Sequence, residues 1–218
     1  MADHSEYFAK VAQAVENSDK EGCLRLLDEG GDIDPLDILE QGLGRGIRKV
    51  GDDFGAEIVF LPELIGAADV MKAGVAVLDA RIKASGRARG SQGTIIIGTV
   101  KGDIHDIGKS VVGSMLQAHG YDVIDLGIDV DDEAFIAAAI ENDADCIGMS
   151  SLLTLNIDYM GVVVDKLEDK GLRNKVKVIV GGAPVTQAWA DEIGASGYGR
   201  DATDAVKVLN QHAQEWAK

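Results

Sequence analysis

Gly98-Thr99-Val100-Lys101-Gly102-Asp103-Ile104-His105-Asp106-Ile107-Gly108-Lys109-Ser110 is the stretch from which the rest of the chain is read. It follows an apolar, β-branched run, Thr94 to Ile97, and precedes a helical pattern of Val111, Val112, Met115, Leu116 and Ala118. Its polar groups therefore occupy a strand-to-helix turn. In a parallel α/β sheet such a turn lies at the carboxyl edge of the strand, where ligands bind. His105, with Asp103 two residues before it and Gly108 three after, is a candidate ligand with a carboxylate to orient its second ring nitrogen. Taken alone, the same residues fit a solvated turn histidine better.

Downstream, strand and helix alternate. The expected strands are 94–99, 121–126, 146–150, 176–180 and a short one at Gly197-Tyr198. Helical patterns fall at about 107–119, 131–142, 155–170, 184–193 and 202–216. This alternation predicts βαβ crossovers and a parallel sheet covered on both faces, and five strands suit the flavodoxin-like order 2-1-3-4-5. Its switch point, between the first and third strands, sets the loop of Asp103 and His105 beside the one that begins Ser150-Ser151-Leu152. The fourth strand ends in Gly181-Gly182, where a bulky group could approach the backbone closely.

Upstream, residues 1 to about 85 read as helices only. Phe8, Val11 and Val15 mark the first. Ser18 with Glu21 reads as a capping box that opens a second, carrying Leu24 and Leu27. Asp34-Pro35 starts a third, with Leu36, Leu39, Leu43, Ile47, Val50 and Phe54 on one face. Pro62 starts a fourth with the stripe Leu61, Leu64, Ile65, Ala68, Met71, Val75, Leu78 and Ile82. Leu61 and Met71 fit the bundle core as part of that stripe. Ala84 to Gly93, rich in glycine and serine with two arginines, reads as an interdomain linker. The expected fold class is α + α/β: an N-terminal four-helix bundle over 1–88, then a flavodoxin- or Rossmann-like, doubly wound five-stranded parallel sheet over 89–218.

Composition excludes several classes of function. Lys+Arg 21 against Asp+Glu 37 gives a formal charge of -16, which repels phosphate backbones and argues against nucleic-acid partners. Cys23 and Cys146 form no C-x-x-C pair, so a disulfide framework or zinc site is not expected, and Cys146 reads as a buried, inert thiol. Trp189 and Trp216 read as packing residues. With no signal-like N-terminus and no apolar run of membrane-spanning length, a soluble cytoplasmic protein without membrane partners is expected.

At the switch point, Gly108-Lys109-Ser110 resembles a Walker A tail, but five residues separate Gly102 from Gly108 where four are needed, and Asp103 and Asp106 repel phosphate. G-x-G-x-x-G is absent after the first strand, and Ser150 stands where a phospho-receiver has its aspartate. A metal cofactor beside a glycine-lined slot remains.

Asp103-x-His105-x-x-Gly108, then Ser150-x-Leu152, then Gly181-Gly182, each after an expected strand, resembles the cobalamin-binding domain of B12-dependent methyltransferases and mutases. Gly46 to Gly74, with Val50-Gly51, Phe54, Phe60-Leu61-Pro62-Glu63-Leu64, Ala67-Ala68 and Met71, is similar to the helical cap of the corrinoid proteins that serve methylotrophic and acetogenic methyltransferases. The resemblance implies cobalamin, cycling between cob(I)alamin and methylcobalamin, bound with its own base displaced and His105 as the axial cobalt ligand. It implies cofactor contacts from Asp103, Ile104, His105, Gly108, Ser150, Leu152, Asn156, Gly181 and Gly182, and a cap contributed by Leu61 and Met71. Where the family usually completes the Asp–His pair with serine or threonine, the count falls on Asn156. Near Ser196 the family often has aspartate. No residue of the chain is expected to be catalytic by itself. It would be a methyl carrier between a substrate:corrinoid methyltransferase and a corrinoid:acceptor methyltransferase working toward tetrahydrofolate or a thiol, with a reductive activator to rescue oxidised cobalt. Methanol, methylamine and O-demethylase systems all use such carriers. The alternatives are a cobalamin-dependent sensor or photoreceptor, disfavoured by the acidic charge and the absence of a DNA-binding segment, and the small subunit of an adenosylcobalamin mutase, disfavoured by the bundle.

Overall fold

The structure, a computed structural model, describes residues 4–84 and 90–216. Residues 85–89, half of the expected linker, and the side chain of Trp216 lie outside the described residues. Two compact units part between residues 90 and 91, with 118–120 grouped with the first.

The first unit holds α1 (Ser5–Glu16), α2 (Lys20–Glu29), a divided third run and α5 (Leu61–Ala84). The third run is α3 (Pro35–Asp37), a π-helical stretch (Ile38–Leu43) and α4 (Gly44–Gly55). Asp34 accepts the Leu36 N–H at 3.0 Å with Pro35 at the first helical position, as its sequence predicts. The π stretch does not: its wider turn buries Ile38 together with Leu39, Leu43, Ile47 and Val50, while Leu36 and Phe54 stay half-buried. Close approach of α1 is permitted at Gly46, where a Cβ would stand 2.5 Å from the Ala12 carbonyl.

Two details of the bundle depart from expectation. Ser18 does not cap α2. It is the left-handed residue of the turn (φ 55°), and the next residue, Asp19, caps instead by accepting the Gly22 N–H at 2.9 Å. On α5, Leu64, Ala68, Leu78 and Ile82 are buried, Leu61, Met71 and Val75 are half-buried, and Ile65 is exposed. No helix among the described residues is long and apolar enough to cross a membrane.

In the second unit β1 (Thr94–Thr99), β2 (Asp122–Asp125), β3 (Cys146–Ser150), β4 (Lys177–Gly181) and β5 (Gly197–Gly199) form one parallel sheet in the order β2-β1-β3-β4-β5. Between and after them lie α6 (Ile107–Ala118), α7 (Asp132–Glu141), α8 (Asp158–Asp169), α9 (Gln187–Glu192) and α10 (Ala202–Trp216). A 3-10 turn, Thr154–Asn156, replaces the expected first turn of α8. Ile96, Ile147, Val178 and Val180 of the strands bury against Phe135, Met160, Val163 and Leu167 of α7 and α8. Trp189 of α9 packs on the same core, although its buried indole N–H has no hydrogen-bond partner among the described residues. Burial pushes the Cys146 thiol far up and the Cys23 thiol up to about 11, which disfavours the thiolate at both.

The register pairs Thr99 with Ser150 and Ser150 with Gly181, so three strands end level. The chain leaves β1 toward β2 and leaves β3 toward β4, which opens the crevice between their two loops. Ser196 lies at the opposite edge, where its hydroxyl accepts the Val178 N–H at 2.9 Å, the role an aspartate would fill there. It is a pin of the sheet and takes no part in the crevice.

Candidate functional site

Asp103 is completely buried and its carboxylate is fully engaged. Oδ1 accepts the His105 main-chain N–H at 3.0 Å and faces His105 Nδ1 at 2.6 Å. Oδ2 accepts the Ser151 hydroxyl at 2.8 Å and the Leu152 N–H at 2.7 Å. Burial alone would raise this carboxyl, but the four hydrogen bonds hold it well below the usual carboxylate range. An ionised Asp103 accepts a proton-bearing Nδ1, which leaves Nε2 as the nitrogen with a free lone pair. The His105 side chain is 47% exposed, so that lone pair is available to a ligand.

The loop that carries the pair is braced from three sides. The buried hydroxyl of Thr99, at the end of β1, donates to the His105 carbonyl at 3.0 Å. Asp129, after β2, accepts the Gly102 N–H at 2.8 Å. Asn156 donates from Nδ2 to the Lys101 carbonyl at 2.6 Å. Asn156 thus holds the backbone of the loop, and the place beside Asp103 expected for it belongs to Ser151. Neither Thr99 nor Asp129 is marked as a bracing residue by its sequence context. The left-handed φ of Asp129 (52°) has no signature in an acidic run such as Asp129-Val130-Asp131-Asp132.

The remaining candidates divide. Gly182 (φ 123°) is required by contact within the protein: a Cβ there would fall 1.8 Å from the Ser151 carbonyl oxygen. At Gly181 the Gly199 carbonyl stands 2.8 Å from where a Cβ would be. At Gly108, by contrast, a Cβ would meet nothing within 4 Å, so its side of the α6 turn is open. Ser150 is half-buried and its carbonyl accepts the Val100 N–H at 3.1 Å, tying the ends of β3 and β1. Lys109, the end of the Walker-like tail, is buried and paired with the Asp125 carboxylate of β2, not turned toward a phosphate.

Large apolar side chains crowd the same edge without cover: Ile104 (70% exposed), Ile107 (69%), Leu152 (46%) and Leu155 (91%). Isolated exposed residues of this kind are ordinary, but four on the two loops of one crevice mark a ligand surface. Among the described residues no three His, Cys, Asp or Glu side chains group as a metal site. One imidazole suits a metal that brings its other ligands with it, and the apolar rim suits a broad macrocycle around that metal. The residues present therefore fit a metal-bearing macrocyclic cofactor.

Comparison with known proteins agrees. A family model described as B12 binding domain matches residues 93–207, and a second with the same description matches residues 7–79. Dimethylamine corrinoid protein 3 of Methanosarcina acetivorans is 45% identical, the match covering 94% of this chain and 96% of that one. Among solved structures, the methanol:cobalamin methyltransferase complex MtaBC of Methanosarcina barkeri matches with a TM-score of 0.87 at 28% identity, over 96% of this chain and 80% of that chain. A cobalamin-binding protein of Desulfitobacterium hafniense matches with a TM-score of 0.66 at 32% identity, over 96% of this chain and 98% of that one.

Proposed function

This chain belongs to the B12-binding corrinoid proteins of methyltransferase systems, and from that premise we propose that it carries a methyl group taken from a methylated amine on a cobalamin ligated by His105. The observation that carries the reading is the Asp103–His105 pair at the switch point, with Nδ1 given to a buried carboxylate and Nε2 left to bind. Cobalamin supplies the chemistry when bound, since its cobalt both accepts and releases a methyl group.

The chain's residues do the rest. His105 would hold the metal, and Asp103 would hold its ring and tautomer. Ile104 and Leu152, exposed at that edge, would pack against the macrocycle. Gly108, Ser150, Gly181 and Gly182 border the slot for the displaced nucleotide tail, and Asn156 keeps the loop over that slot in shape. By the family resemblance residues 1–88 would serve as the cap, to which Leu61 and Met71 would belong, and 89–218 as the cofactor-binding domain. The amine is favoured as donor because the relative named for dimethylamine stands at 45% identity against 28% for the methanol complex. The partners are a substrate-specific methyltransferase, an acceptor methyltransferase for tetrahydrofolate or a thiol, and a reductive activator.

The test is the anaerobic EPR spectrum of the protein loaded with cob(II)alamin, wild type against His105→Ala. Nitrogen superhyperfine splitting in the wild type that vanishes in the variant is expected. Splitting that survives removes His105 as the ligand, and failure to take up cobalamin removes the reading. For the donor, methylation of the reduced loaded protein by a dimethylamine-specific methyltransferase should outpace that by a methanol-specific one. The reverse order overturns the amine assignment.

A further inference from the structure

We propose that the outward face of α8, from Leu155 through Tyr159 to Val162, is the docking surface for the methyltransferase that loads this carrier, and that the matching surface is an apolar centre ringed by lysine and arginine. The identity of the partner rests on the carrier reading; the surface itself goes beyond it.

α8 is apolar on two sides. Met160, Val163, Val164 and Leu167 are buried in the core beside the sheet, which is all that the packing of a surface helix requires. α9, which reaches the same core through Trp189 and Ala190, is polar on its outer side, where Gln187, Asp191 and Glu192 are exposed. α8 instead exposes Tyr159 and Val162, and the 3-10 turn leading into it exposes Leu155, at 91% the most exposed large apolar side chain among the described residues. Leu155, Tyr159 and Val162 stand at i, i+4 and i+7, so they line up as one stripe. The stripe is continuous with the crevice. Leu155 follows Leu152 on the loop that borders it, and the neighbouring Asn156 is bonded to the Lys101 carbonyl across it. A protein seated on the stripe therefore also reaches the edge where the cofactor is held.

Charge narrows the choice of occupant. Asp158 and Asp165 are exposed and flank the stripe, each within one helical turn of Val162. Lys166, the cation next to them, is engaged by Asp132 and Glu133 of α7 at 2.5 and 2.6 Å. A second copy of a chain with a formal charge of -16 would bring like charges together there, whereas a basic ring would match them. Of the proposed partners, the loading methyltransferase is set by the donor and must select its own carrier, which calls for a distinctive surface of side chains.

The test uses the reduced, cobalamin-loaded chain as substrate of whichever enzyme, dimethylamine- or methanol-specific, methylates wild type faster. Tyr159→Ser combined with Val162→Ser alters two exposed residues that are not assigned to the cofactor, so cobalamin uptake and melting temperature should match wild type. The KM for the carrier and its Kd for the enzyme should both rise about tenfold or more at unchanged kcat, the scale for truncating central interface residues. Ile140→Ser, which alters an exposed apolar residue of α7 apart from the stripe, should change neither. Asp158→Asn combined with Asp165→Asn should flatten the fall in association rate between about 0.01 M and about 0.15 M NaCl. Wild-type KM and Kd in the serine variant overturn the proposal, as does an equal loss in Ile140→Ser. An unchanged salt dependence in the asparagine variant overturns the basic ring, and decides even where the serine variant does not fold. A wild-type dimer that the serine variant dissociates gives the stripe to a second copy instead. In each of these cases the carrier reading stands, because wild type is methylated. A wild type that takes up cobalamin but is methylated by neither enzyme removes both.

Discussion

Asp103 is the residue on which most of the local free energy turns, because four donors converge on one buried carboxylate. Asp103→Asn keeps the shape but sets an amide N–H2 against donors. It should lower stability by about 2–3 kcal/mol at neutral pH, measured by urea denaturation. The pH dependence has a definite sign. The folded carboxyl titrates below its unfolded value of about 3.9, so its contribution is complete above that pH and is lost as pH falls toward the folded value. The stability gap between wild type and Asp103→Asn should narrow as the pH falls below about 4. A gap that narrows already between pH 7 and 5 contradicts an ionised, hydrogen-bonded Asp103. A second residue-scale prediction concerns Gly182. With φ at 123° and the Ser151 carbonyl 1.8 Å from the Cβ position, Gly182→Ala should cost more than about 2 kcal/mol and disturb the Ser151 seat. A variant as stable as wild type would show that the two loops part easily. At this scale the sequence was only partly legible. Asp103 and His105 stand out because their spacing carries chemistry, whereas Ser151 does not. Which of Ser150, Ser151 and Asn156 faces a carboxylate some fifty residues away depends on how the chain turns after β3, and no local pattern encodes that.

At the scale of elements, the alternating pattern predicted β1 and β3 to their ends and the strand order as found, because buried parallel strands are continuous apolar runs and five of them have few allowed orders. The helical half was legible in number but not in detail. The 3.6-residue period cannot register the extra residue of the π turn at Ile38–Leu43, and Ser18 and Asp19 are both acceptable caps by composition. A long-range contact of the bundle had no sequence signal at all. Arg81 on α5 reaches the carbonyls that end α2, donating from Nη1 to Leu27 at 3.2 Å and from Nη2 to Gly30, Gly31 and Ile33 at 2.9–3.0 Å. A guanidinium there satisfies helix-terminal acceptors and opposes the negative end of the helix dipole. Arg81→Ala should therefore destabilise the bundle by about 1–3 kcal/mol. Both tryptophans, Trp189 and Trp216, follow the bundle in sequence, so circular dichroism should reveal the loss while the tryptophan-fluorescence transition stays in place. A fluorescence transition that shifts equally would mean that the two units unfold as one.

For the whole molecule the dominant quantity is the formal charge of -16, carried by 37 acidic against 21 basic side chains. Such an excess favours solubility but sets the folded chain against itself, since compaction brings like charges together. The exposed ion pairs offset little of it. Lys10–Glu6 and Lys175–Asp143 are largely exposed, and pairs of that kind contribute between about 0 and 1 kcal/mol each. Salt weakens both terms, but the repulsion sums over every acidic side chain without a partner, while each attraction is confined to one pair. Raising NaCl from about 0.01 M to about 0.15 M shortens the screening length from about 30 Å to about 8 Å. The melting temperature should accordingly rise with added NaCl over that range and level off beyond it, as followed by circular dichroism on the apo protein. A melting temperature that falls would mean that the ion pairs outweigh the repulsion, and that the acidic surface is organised into networks stronger than their exposure implies. A rise has a consequence for the proposed carrier as well. A partner surface rich in lysine and arginine would relieve the same repulsion on docking, so its association should slow as NaCl increases over the range in which the free carrier grows more stable.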